Sequence, residues 1–115
     1  MNGTTKLAIT MAALFISTGG ANAASFCDEA RHADERTVCR TPGMVRVDAN
    51  MNRYYQRLMA DMGPFGRFRL RARQREWLAE RRACGNDTTC VRLAYRERVQ
   101  TFRSIARRRG IDLDE

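Results

Sequence analysis

The sequence predicts an all-α fold: a small disulfide-stapled domain of about three to four helices, preceded by a cleaved signal peptide. Three observations predict it. An apolar run with the flanks of an export signal opens the chain, and four cysteines all lie beyond that run. The apolar residues of the remainder recur with helical period, and no stretch alternates apolar and polar residues for long.

Met1 to Lys6 is a short polar segment with one positive charge, and Leu7 to Ser17 is an apolar run. Gly19 and Gly20 break it, and Ala21-Asn22-Ala23 offers small residues at the two positions a signal peptidase reads. Cleavage after Ala23 divides the chain into a signal peptide, 1–23, and one domain, 24–115. An apolar run of about a dozen residues is too short to span a bilayer, which takes roughly 20. Bulky Phe26 before Cys27 does not suit a lipid-attachment site. The expected mature protein is exported, to the periplasm or the medium, and has no transmembrane segment. Removal of the signal takes one basic residue, Lys6, and no acid from the chain's formal charge of +8, leaving +7. Every remaining cation is an arginine.

Cys27, Cys39, Cys84 and Cys90 read as two disulfides, because an even count in a short exported chain is a cross-linking framework. Zinc is disfavoured: the spacings Cys-x11-Cys and Cys-x5-Cys exceed the usual two-to-four-residue ligand gap, and His32 is the lone histidine. Four cysteines allow three pairings. Cys84–Cys90 with Cys27–Cys39 is favoured, on one condition. Were Asp28 to Cys39 a straight helix, its ends would lie roughly 16–18 Å apart, whereas a disulfide needs Cα atoms within about 7 Å. The chain near Ala30 to His32 must therefore bend back, or the crossed pairings win.

The first helix is short and charged, about Ala33 to Cys39. The second is expected to start at a Thr41 cap with Pro42 in its first position, and Gly43 is a poor helix former there. Met44, Val47, Met51, Tyr54 or Tyr55, and Leu58 then stack on one face. Asp61 to Gly66 is a break rich in turn formers. A third helix is expected from about Arg67 to Ala83, with Leu70, Gln74, Trp77, Leu78 and Arg81 facing inward. The fourth starts near Thr88 or Thr89 and runs to about Arg109, with Val91, Ala94, Tyr95, Phe102 and Ile105 on its apolar face. Gly110 is placed to stop it, and the acidic tail from Asp112 to Glu115 is expected to fray.

Catalytic chemistry finds little support. A hydrolase needs a nucleophile beside a base, or two carboxylates held together. Glu76 and Glu80 are four residues apart, but Arg73, Arg81 and Arg82 surround them, as in surface ion pairing. Gly63-Pro64-Phe65-Gly66 lacks phosphate-loop spacing. The arginines of the third helix, with Arg107-Arg108-Arg109, give affinity for polyanions in general. They are interleaved with Glu76, Glu80 and Glu97, so no specific nucleic acid is expected. The anions met after export are lipopolysaccharide, phospholipid head groups, teichoic polymers or acidic proteins. The expected class is a binding protein that is not an enzyme and needs no cofactor or metal.

Two runs of residues resemble a known family. Cys27-x11-Cys39 with Glu35-Arg36 leads into Pro42, Met44, Val47, Asp48, Met51 and Tyr55. Gln74-x2-Trp77-x3-Arg81-x2-Cys84 is followed by Cys90-x4-Tyr95-x2-Arg98-x3-Phe102. Together these resemble the lysozyme-inhibitor LprI-type domain over nearly the whole mature chain. Phe102 stands where that family usually has Leu, and Gly43 where it often has Glu. The resemblance implies a helical domain with bridged cysteines and, as partner, lysozyme or a related cell-wall lytic enzyme. The alternative is an Arg-rich envelope protein that binds anionic polymers or lipid head groups. C-type lysozymes are basic, so docking by a +7 domain calls for a local acidic patch. Asp28, Glu29, Asp34 and Glu35 cluster near the N-terminus and are the expected contact residues, with the acidic tail second. The motif residues Glu35, Asp48, Tyr55, Gln74, Trp77, Arg81, Tyr95 and Arg98 are expected to be structural. Trp77 and Tyr95 would centre the core, and the polar members would link helices by charge-assisted hydrogen bonds.

Overall fold

The structure, a computed structural model, describes residues 26–115 and the isolated Gly3. The expected signal peptide otherwise lies outside the described residues. A helical turn at 26–28 leads into four helices: α1 (Ala33–Arg40), α2 (Met44–Asp61), α3 (Pro64–Cys84) and α4 (Thr88–Arg109). Among the described residues there is no strand, and no helix is long and apolar enough to cross a membrane. The fold is all-α. Helix α4 packs against both α2 and α3, and α1 touches all three.

The chain bends where the first disulfide required it. Ala30 and Arg31 are non-helical, and His32 caps α1 with an extended backbone, its N–H donating to the Glu35 carboxylate at 3.2 Å. This brings Cys27 and Cys39 together with Cα atoms 5.7 Å apart, and Cys84 and Cys90 pair across the α3–α4 turn at 5.5 Å. Both favoured pairings are therefore present. Mass spectrometry of the unreduced, denatured protein after alkylation is expected to find no modified cysteine. Two or more alkylated cysteines would contradict this pairing.

Thr41 serves a different helix from the one expected. Its N–H and its hydroxyl both donate to the Thr37 carbonyl, so it closes α1 and does not open α2. Helix α2 starts at Met44 with Gly43 as its cap. Gly43 has φ +81°, a conformation that only glycine takes without strain, so the residue sits outside the helix it seemed to weaken. Met44, Met51, Tyr54 and Leu58 are buried as their spacing implied, while Val47 and Tyr55 are partly covered.

The break between α2 and α3 is shorter than expected. It consists of Met62 and Gly63 alone, and α3 begins at Pro64, three residues before Arg67. Proline fits the first helical position because its missing N–H would have no intrahelical partner there. Gly66 lies within this first turn, where a Cβ would stand 3.1 Å from the Met62 side chain. Its glycine serves close approach, not a turn. Leu78, expected inside, is exposed.

Asp87 caps α4 by accepting the Cys90 N–H at 3.1 Å. At the far end Gly110 adopts φ +66°, and the Ile111 N–H returns to the Ala106 carbonyl at 2.9 Å. The tail beyond does not fray. Leu113 is buried in the core, and Asp114 accepts a 2.8 Å hydrogen bond from the Tyr54 hydroxyl. That bond, reinforced by Arg103 at 3.4 Å, holds the Asp114 carboxyl below the usual carboxylate range. One leucine among three acids carries too little apolar signal to announce such docking from sequence.

Candidate functional site

The residues of the two motif runs converge in the centre of the bundle. On α3, Gln74, Trp77 and Arg81 recur at steps of three and four, so they share the face turned to the core. On α4, Val91, Tyr95, Arg98 and Phe102 do the same. The two faces meet edge to face through Trp77 and Tyr95, whose ring centroids are 4.9 Å apart, and the Trp77 indole N–H donates to the Ala94 carbonyl at 2.9 Å.

One polar group from each helix closes a buried network around Arg81. Its Nε donates to Asp34 Oδ2 of α1 at 2.7 Å, and its Nη1 donates to the Tyr95 hydroxyl of α4 at 2.8 Å. The Tyr95 hydroxyl in turn donates to Asp48 Oδ1 of α2 at 2.7 Å, and Arg81 stands 3.7 Å from the same oxygen. Two carboxylates thus share one guanidinium. Burial drives the Tyr95 phenol well above its ordinary range, with Asp48 adding to the rise and Arg81 opposing it, so the hydroxyl stays protonated and can donate. Burial alone would lower the Arg81 pKa. Tyr95 and Asp34 more than offset it, and Arg81 ends above its usual value.

A second link runs below the first. Arg98 Nε donates to Gln74 Oε1 at 2.9 Å, and the guanidinium lies 4.5 Å from the Phe102 ring centroid. Burial lowers the Arg98 pKa, partly countered by Glu80. Tyr55 packs its ring toward Phe102. Glu35 is occupied at the α1 N-terminus with His32. This constellation joins helices, and its phenol is kept protonated by burial and by the bond to Asp48, unlike an acid–base pair poised to exchange protons.

The surface differs from expectation at one acidic residue. Asp34 is 1% exposed and bound to Arg81, so it is unavailable to a partner, whereas Asp28 and Glu29 are exposed and Glu35 is partly covered. Sequence reading placed Asp34 on the surface because an acid in a short charged helix gives no sign of which side is covered. Glu76 pairs with Arg73 at 3.4 Å on the surface, as expected for such a spacing. Among the described residues no cluster of His, Cys, Asp and Glu could hold a metal ion.

The feature that sequence reading passed over is an exposed aromatic pair at the start of α3. Phe65 is 85% exposed and Phe68 65%. Their three-residue spacing, on the side of α3 opposite Gln74, Trp77 and Arg81, was the available signal. Phe65 fell in the expected break, and Phe68 in the first turn of the expected helix, so the pair was split between two segments.

Among curated proteins and solved structures, none matches the chain. A family model described as lysozyme inhibitor LprI matches residues 27–109. The matched span runs from the first cysteine of the first disulfide to the last residue of α4, and so takes in both disulfides and every helix that contributes to the Arg81 network. The chain belongs to the lysozyme inhibitor LprI family.

Proposed function

We propose that the protein is an exported, non-enzymatic inhibitor that binds lysozyme or a related cell-wall lytic enzyme and blocks it. The observation that carries this reading is the extent of the family match. It covers the entire cross-linked helical unit and not an appended segment, so the domain itself is what the inhibitor family shares. Two disulfides in a small domain support export to an oxidising compartment.

The docking surface on this reading is the acidic N-terminal cluster without Asp34: Asp28, Glu29 and Glu35. A basic enzyme is repelled at long range by the net charge of this chain, and local acids offset that repulsion only at contact. The test is direct binding of the exported, oxidised protein to a C-type lysozyme at two salt concentrations, with a cell-wall lysis assay alongside. Tight binding with loss of lysis is expected. The combined variant Asp28→Asn, Glu29→Gln should weaken both while leaving the melting temperature unchanged. Absence of binding at either salt would remove the inhibitor reading. Intact binding by the variant would move the interface elsewhere on the domain.

A further inference from the structure

We infer that the corner formed by the end of α2 and the first half of α3 docks on the surface of an anionic phospholipid bilayer. The aromatic pair is the first observation. Two phenylalanines left 85% and 65% exposed, three residues apart, make an apolar patch that no other element among the described residues covers. At 3.6 residues per turn, Phe65, Phe68, Ala72 and Ala79 fall on the face of α3 opposite the buried Leu70, Gln74, Trp77 and Arg81.

Charge is the second observation. From Pro64 through Arg75 the chain holds five arginines and no acid. Arg69 and Arg73 flank the aromatic face on one side and Arg71 and Arg75 on the other, the arrangement of an interfacial helix, with apolar side chains set into the head-group boundary and cations beside phosphates. Arginine suits this role because its stem lies along apolar surface while its head reaches the phosphate layer.

A recess of about 350 Å³ beside this face is the third. Met62, Leu70 and Ile105 supply apolar lining, and Arg69, Arg73, Arg108 and Arg109 surround it. Three of the nearby acids are paired, while Glu80 and Glu97 line the adjoining recess with Arg73 and Arg108. Asp61 is paired with Arg109 at 3.0 Å and Glu76 with Arg73, while Asp114 of the tail is turned to Tyr54 and Arg103. An apolar hollow rimmed by guanidinium groups matches a lipid phosphate with the start of its acyl chain. A hydrophilic polyanion would make no use of the hollow or of the phenylalanines.

The corner is also rigid. Arg67 Nε donates to the Met59 carbonyl at 3.1 Å, Arg109 holds both the side chain and the carbonyl of Asp61, and Gly66 lets α3 press against Met62. Phe65 is therefore held outward on a fixed support, and docking needs no rearrangement.

Vesicle co-sedimentation of the exported, oxidised protein tests this. Vesicles of phosphatidylcholine alone are compared with vesicles containing phosphatidylglycerol, at low and high salt. Partitioning onto the anionic vesicles alone is expected. Phe65→Ser with Phe68→Ser should lower the partition coefficient roughly tenfold or more, because two aromatic side chains leave the interface, with no change in melting temperature. If the double variant does not fold, Phe65→Ser alone decides, with a smaller expected loss. No partitioning of the parent protein would overturn the inference. So would undiminished partitioning of the serine variant, which would reduce the effect to diffuse charge. Loss of lysozyme binding by that variant with vesicle binding intact would also overturn it, assigning the patch to the enzyme interface. The inhibitor reading is judged separately by the parent protein's lysis assay.

Discussion

Arg81→Met is expected to destabilise the protein by about 3–5 kcal/mol, measured by chemical denaturation of the oxidised chain. The size follows from what is left behind and not from the bond that is lost. Asp34 and Asp48 share this guanidinium, and both are buried. Without it, two carboxylates remain in a low-dielectric interior with only a phenol and an asparagine side chain to stabilise them. Small domains hold only about 5–15 kcal/mol in total, so the variant should lie near the edge of folding. Asp34→Ala added to Arg81→Met should cost much less than the sum of the two single changes, since both act on one network. Additive losses would show that Asp34 and Arg81 are not coupled and would refute the network.

Trp77→Ala is expected to lower stability by about 3–5 kcal/mol as well, by a different route. The indole is 4% exposed, packs edge-on against Tyr95 and donates to the Ala94 carbonyl. Its removal opens a cavity at the junction of α3 and α4 and leaves that carbonyl short of a donor. Trp77→Phe should recover part of the loss through the ring but not through the N–H. The same denaturation experiment, followed by circular dichroism because the variant lacks the chain's tryptophan, reads both changes. An unchanged melting temperature in Trp77→Ala would mean that the indole is not a core element.

Much of this centre was legible in the sequence, and the reason is period. Gln74, Trp77 and Arg81, and then Tyr95, Arg98 and Phe102, recur at helical steps, so their shared faces follow from geometry alone. Gly110 carries a local signal whose physical cause lies in its own backbone, and it ends α4 as that signal requires. What escaped depended on distant partners. Asp34 looks like any surface acid until Arg81, 47 residues away, is placed beside it. Thr41 is as good a cap for the helix behind it as for the one ahead. The tail residue Asp114 finds Tyr54 across 60 residues. Phe65 was hidden by a different cause: Gly63, Pro64 and Gly66 read as a loop, whereas the proline opens a helix and Gly66 belongs to its first turn, so Phe68 in the expected helix lost the partner that would have marked an exposed aromatic face.

The two disulfides join near neighbours, separated by 12 and 6 residues in sequence. Each therefore links a cysteine to the next one along the chain. If the chain is exported as proposed, with its N-terminus crossing first, Cys27 and Cys39 emerge and can be oxidised before Cys84 has crossed. The first pair can then close before the second arrives, which leaves fewer wrong partners to choose from. Reshuffling of wrong pairs takes seconds to hours and calls on an isomerase. Pairing in order of emergence lowers the chance of such errors, so an oxidant at the exit of the translocation channel matters more to this domain than reshuffling afterwards.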